Sequence, residues 1–168
     1  MKHASEASVR RTDWLLVFML VLAGLFSAAQ FGKLALALPQ LRAAYPEDGA
    51  LVPVLISVVG MVGIALGAVA GSVVTRVGVT RALCGALVAG GLLSVLQALM
   101  PGFTVFAALR VLEGLSHLAI VVAAPTLLSS IATDRDRPLV MGFWAAFFGI
   151  AMAPVSYTHL TLPTIYSV

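Results

Sequence analysis

The stretch Phe103-Thr-Val-Phe-Ala-Ala-Leu-Arg110-Val-Leu-Glu113-Gly114-Leu-Ser-His117, continued by an apolar run to Ser130, decides how this chain reads. It is longer than the roughly 20 residues a helix needs to cross a bilayer. Its first half nevertheless holds Arg110, Glu113 and His117, spaced i, i+3, i+7, which places all three on one face of a helix. A charged side chain at the bilayer centre costs about 2.5–3.5 kcal/mol on insertion scales, so such groups mark solute, ion or proton paths. The stretch predicts a membrane protein with a polar pathway.

Composition agrees with the membrane reading. The chain is 61% hydrophobic and 10% charged, too poor in charge to cover a soluble domain of this length. Its formal charge of +3 lies in short polar segments, with no basic run interleaved with aromatics, so no nucleic-acid partner is expected. The single cysteine, Cys84, cannot form an internal disulfide and is expected to pack among apolar neighbours. No Cys/His pair has metal-ligand spacing, so no metal and no cofactor are expected.

Polar punctuation cuts out five spans: about 14–38, 52–74, 82–100, 103–130 and 139–153. Residues 1–13 form a tail before them. The first run is too long for the apolar core of a secretory signal and has no small-residue cleavage site closing it. Pro53 suits the first turn of its helix, Pro101-Gly102 ends the third span, and Pro125 is expected to kink the fourth. The fold class is thus all-α and polytopic. Lys2, Arg10, Arg11, Arg76, Arg81, Arg135 and Arg137 fall on one side and only Arg42 on the other, which predicts a cytoplasmic N-terminus. In the second span Gly60, Gly63 and Gly67, followed by Gly71, are expected to admit a close helix–helix contact.

Between the second and third spans runs Gly71-Ser-Val-Val-Thr75-Arg76-Val-Gly78-Val-Thr80-Arg81. This resembles the loop motif of the major facilitator superfamily, which carries Gly, Asp, Arg, Gly and further basic residues at this spacing. Gly71, Arg76 and Gly78 match; Thr75 stands where the family has Asp, and Val79 and Thr80 where it has basic residues. The resemblance implies a cytoplasmic gate loop in which Arg76 and Arg81 seek partners in the other half of the protein. Arg110 followed by Gly114 resembles the superfamily's fourth-helix motif, with Gly114 at a packing position. The Pro39-Gln40 end of span one and Val121-Val-Ala-Ala-Pro125 are similar to a cyanate-transporter-like branch. The family has twelve helices in two halves, so the chain is expected to be about five helices of a truncated six-helix N-terminal half.

The resemblance also sets helices one and four side by side. At 1.5 Å per residue, Lys33 lies roughly 8 Å from its end of the first span, Arg110 roughly 10 Å and Glu113 roughly 15 Å from the same side. Lys33, Gln30, Arg110, Glu113 and His117 are therefore expected to line a polar cavity. Lys33 and Arg110 would attract an anionic or carboxylate solute, with Arg110 offering bidentate geometry. Glu113 would neutralise one cation in the empty site or exchange a proton, and His117 would relay protons. The competing assignment is a structural Lys33–Glu113 or Arg110–Glu113 pair.

The last residues depart from the pattern. Val155-Ser-Tyr-Thr-His-Leu-Thr-Leu-Pro-Thr164 resembles the translation of a transposon-type sequencing-library adapter, so 154–168 is expected to be a non-native tail. The expected activity is transport of a small, anionic solute by alternating access, within a longer secondary transporter driven by an ion or proton gradient. The truncated chain alone is expected to be inactive. Expected partners are the lipid bilayer, the solute and the missing C-terminal half; the expected address is the bacterial inner membrane. Two alternatives compete, a non-transporting membrane scaffold and an intramembrane enzyme. Ser116 and His117 are adjacent and diverge by about 100 degrees on a helix, which argues against a nucleophile–base pair.

Overall fold

A computed structural model describes residues 11–165, with side chains as far as Ala153. Six helices follow one another: α1 (Trp14–Leu36), α2 (Leu38–Ala44), α3 (Val52–Val77), α4 (Val79–Ala98), α5 (Phe103–Ile131) and α6 (Arg137–Ile165). No strand occurs among the described residues. Four helices, α1, α3, α4 and α5, are long and apolar enough to cross a membrane, and the described part of α6 is a shorter apolar helix. The chain is an all-helical membrane protein.

Local chemistry sets the helix ends. Asp13 caps α1, its Oδ1 accepting from the Leu16 amide at 3.1 Å. Proline stands in the first turn of α2 and of α3, where its missing N–H has no partner to lose. The first span is therefore shorter than expected, with α2 as a separate segment after Ala37. Between α3 and α4 the expected connection over 75–81 contracts to one residue. Gly78, at φ +97°, lets α4 start immediately, a backbone conformation that side chains with Cβ rarely adopt. α5 runs unbroken through Pro125. The backbone of α6 stays helical past Ala153 to Ile165, so it shows no break where the altered tail was expected; the side chains of that segment, like residues 1–10 and 166–168, lie outside what the structure describes.

The helices pack around α5, which contacts α1, α3, α4 and α6. One apolar cluster joins Val17, Leu20, Ile120, Leu128, Val140 and Trp144 near the Asp13 end. A second joins Leu34, Leu41, Val52, Leu55 and Phe106 at the other end, where the Tyr45 hydroxyl donates to the Pro101 carbonyl at 2.5 Å. The Asp13 end is tied by side chains far apart in sequence. Thr12 Oγ1 donates to Asp136 Oδ2 at 2.6 Å and accepts from the Thr133 amide at 3.0 Å. These threonine hydroxyls hold the Asp136 carboxyl below the usual carboxylate range.

Close approaches fall at Gly114, which the family resemblance puts at a packing position, and at Gly24 and Gly90, rather than along the α3 glycine series. A Cβ on Gly114 would sit 3.0 Å from Val62, one on Gly24 would sit 2.6 Å from the Trp144 ring, and one on Gly90 would sit 2.7 Å from Ser116 Oγ. Gly63, Gly67 and Gly71 have nothing within 4 Å of such a Cβ, and Gly60 only Phe31 at 3.8 Å. The expected contact along the α3 glycine face is thus not made among the described residues, because α3 turns Val59 and Val62 toward α5 and the glycines away. Cys84, expected to be packed, is exposed for the same reason: α4 turns Leu83 and Ala86 inward.

Candidate functional site

The polar residues of three helices meet where α1, α4 and α5 converge. Glu113 is the hub. Its Oε1 lies 2.5 Å from Lys33 Nζ and 3.1 Å from Ser94 Oγ, while Oε2 accepts from Arg110 Nη1 and, at 2.9 Å, from Gln97 Nε2. Four donors on one carboxylate satisfy a charge that is 1% exposed. Arg110 is entirely buried. Besides Glu113 it donates through Nε to the Leu55 carbonyl at 3.2 Å and through Nη1 to the Gln30 carbonyl at 3.3 Å. Those carbonyls belong to α3 and α1, so the guanidinium ties three helices together.

Lys33 differs from its partners in remaining 32% exposed at its side chain. It also donates to Ser94 Oγ at 2.8 Å, and Ser94 lies 3.0 Å from the Gln30 side-chain oxygen. Two atoms of the cluster, Arg110 Nη2 and Gln97 Oε1, are buried without a hydrogen-bond partner.

The third member of the face, His117, bonds elsewhere. Its Nδ1 is 2.7 Å from Ser27 Oγ on α1, and its ring meets Phe31 edge to face with centroids 5.0 Å apart. Ser116 donates to the Ala86 carbonyl at 2.6 Å, so the adjacent Ser116 and His117 engage different helices.

Two cavities flank the cluster. One of about 250 Å³ lies toward the Asp13 end and is lined by Ser27, Gln30, Ser94, Glu113 and His117. The other, about 200 Å³, lies toward α2 and is lined by Lys33, Ser94, Gln97 and Phe106. Ser94 borders both, Glu113 only the first and Lys33 only the second. The Lys33–Glu113 bridge therefore stands at the partition between them. Arg110 lines neither of the two.

Of the residues expected at a polar cavity, the structure brings Lys33, Gln30, Arg110 and Glu113 into one network and sets His117 beside it with Ser27. The expectation that Arg110 faces the cavity is corrected. Its short distance in sequence from Glu113 and the nearby carbonyls draw it into the helix contact instead. Sequence reading missed Ser27, Ser94 and Gln97. Each has a usable signal: Ser27 precedes Gln30 by three residues, and Ser94 precedes Gln97 by three, in otherwise apolar spans.

The residues of the α3–α4 connection sit at the Asp13 end of the bundle, away from this cluster. Arg76 closes α3 and Arg81 lies in the first turn of α4, both exposed, and neither has an ion-pair partner among the described residues. Thr75, in place of the family's carboxylate, returns its hydroxyl to the Gly71 carbonyl at 3.0 Å.

A buried charge network on a bundle of membrane-length helices defines a polytopic membrane protein. The model of the Major Facilitator Superfamily matches residues 12–156, and the chain belongs to that family. The superfamily is one of transporters, not enzymes. Neither a curated protein nor a solved structure gave a match.

Proposed function

We propose that the chain is the first half of a secondary transporter that moves a small anionic solute by alternating access, the solute entering the space between α1, α4 and α5. One observation carries this reading. Lys33, Arg110 and Glu113 form a cluster with one formal positive charge in excess, beside two cavities among membrane-length helices. Excess positive charge in a desolvated site favours an anion.

The orientation that goes with it places the Asp13 and Gly78 end in the cytoplasm of a bacterial inner membrane, supported by the surplus of Arg there. A second helical half completes the carrier, supplies partners for Arg76 and Arg81, and couples transport to an ion or proton gradient. Glu113 and His117 are the titratable groups placed to serve that coupling. The resemblance to the cyanate-transporter-like branch and the resemblance of Val155–Thr164 to translated adapter belong to the same reading, and resequencing an independent clone checks the latter. Uptake of radiolabelled small anions into proteoliposomes tests the function: the complete reading frame accumulates one of them, and this chain alone does not. Accumulation of neutral or cationic solutes only would overturn it.

A further inference from the structure

We propose that Glu113 is a built-in stand-in for the solute: a monoanion takes its place on Lys33 Nζ and Ser94 Oγ, leaving Glu113 to Arg110 and Gln97. This rests on the reading of the site as one for an anion, and adds which residue meets the charge and how many charges it accepts.

Geometry separates the two cations. Arg110 is wholly buried, lines neither flanking cavity, and is held by carbonyls of α1 and α3. An anion reaching Arg110 would have to enter a contact with no exposed side-chain surface and displace Glu113 from a guanidinium that also holds α1 and α3. Lys33 is partly exposed, lines the α2-side cavity, and touches Glu113 through Oε1 alone. Its contacts, one carboxylate oxygen and one serine hydroxyl, are what a small carboxylate offers and requires. An anion arriving in the α2-side cavity meets Lys33 and Ser94 before anything else charged.

Charge counting then fixes valence. The empty cluster carries Lys33 and Arg110 against Glu113, one positive charge in excess. With a monoanion bound it becomes two neutral pairs, Lys33 with the solute and Arg110 with Glu113. A dianion leaves a surplus negative charge beside the buried Arg110–Glu113 pair, and a neutral isostere leaves Glu113 where it is. Breaking the Lys33–Glu113 contact also removes the bridge that stands between the two cavities.

The test uses this chain in lipid nanodiscs at neutral pH, with acetate, acetamide and malonate as probes. Acetate should bind, acetamide should not, and malonate should bind at least about tenfold more weakly than acetate. Lys33→Gln keeps the neutral Arg110–Glu113 pair and should abolish acetate binding. Glu113→Gln frees Lys33 and should tighten acetate by about tenfold or more. That variant buries two unopposed cations, so a measurement on the unsubstituted chain accompanies it. Glutamate labelled with ¹³C at the carboxyl gives three resonances, from Glu6, Glu47 and Glu113, and only that of Glu113 should shift as acetate saturates. Equal binding of acetate and acetamide, retention of acetate by Lys33→Gln, or a Glu113 resonance that ignores bound acetate would overturn the proposal. These readouts concern binding, so a failure of transport with displacement intact would strike the functional reading instead.

Discussion

α5 and α3 each carry a regular series of uncommon residues along one face, and the bundle treats them in opposite ways. On α5, Arg110, Glu113, Gly114 and His117 are all engaged: three in hydrogen bonds to other helices and the glycine against Val59 and Val62. On α3, a Cβ added to Gly63, Gly67 or Gly71 would meet no atom within 4 Å among the described residues. The difference is one of obligation. A charge removed from water must find its partner inside whatever part of the molecule is folded, because an unpaired one costs several times the net worth of an ordinary hydrogen bond. A smooth glycine face carries no such debt and is equally compatible with lipid or a second helix. Charged patterns therefore report contacts within the chain, while small-residue patterns report only what a face would permit.

The largest test of that contrast is the hub itself. Arg110→Ala strips Glu113 of one cation and unties α5 from the Leu55 and Gln30 carbonyls of α3 and α1. It should lower stability by about 3–5 kcal/mol, enough to remove folded protein from a detergent size-exclusion profile. An unchanged melting temperature would show that the pair is not formed.

Next is Gly114. Its hypothetical Cβ already meets Val62 at 3.0 Å and the Val59 backbone at 3.2 Å, so Gly114→Leu must push α3 off α5. Overpacking of this kind costs about 1–3 kcal/mol. Thermal unfolding of the chain reads it, and full tolerance would mean that α3 and α5 do not approach here. Ser27→Ala is smaller still. It removes one hydrogen bond from His117 and leaves the Phe31 contact, for a loss of about 1 kcal/mol in the same measurement. No loss would place His117 away from α1.

Much of this was legible in the sequence, and the exceptions have a common cause. The helical class and the membrane-length helices follow from hydropathy and polar punctuation, whereas the nearness of Lys33 to Glu113 needed, besides residue depth, the family resemblance that sets helices one and four side by side. Arg110 was misjudged because a shared helix face fixes direction only to within a turn. Its long side chain lies level with two backbone carbonyls, and no sequence pattern reveals where carbonyls of other helices fall. Ser94 and Gln97 were passed over because a lone Ser or Gln in an apolar span is tolerated without a site; only their joint convergence on Glu113 gives them meaning. The contraction of the α3–α4 connection to Gly78 was hidden too. Polar residues at helix ends read as loop even when, like Thr75 and Arg76, they remain helical.

The smallest expected effect has the opposite sign and bears most directly on α3. Gly67→Ala puts a methyl group into open space on a helix interior, where alanine is favoured over glycine by about 0.5–1 kcal/mol. The chain in nanodiscs should therefore melt slightly higher, and Gly63→Ala should behave alike. Gly114→Ala, on the same scale of side-chain change, should melt lower, since Val59 and Val62 already occupy the space. If Gly67→Ala lowered the melting temperature instead, α3 would have a partner on that face in the isolated chain, and the separation between obligatory charges and permissive glycines would fail. If it raised stability here, the face would be open in this chain and free to meet lipid or another helix.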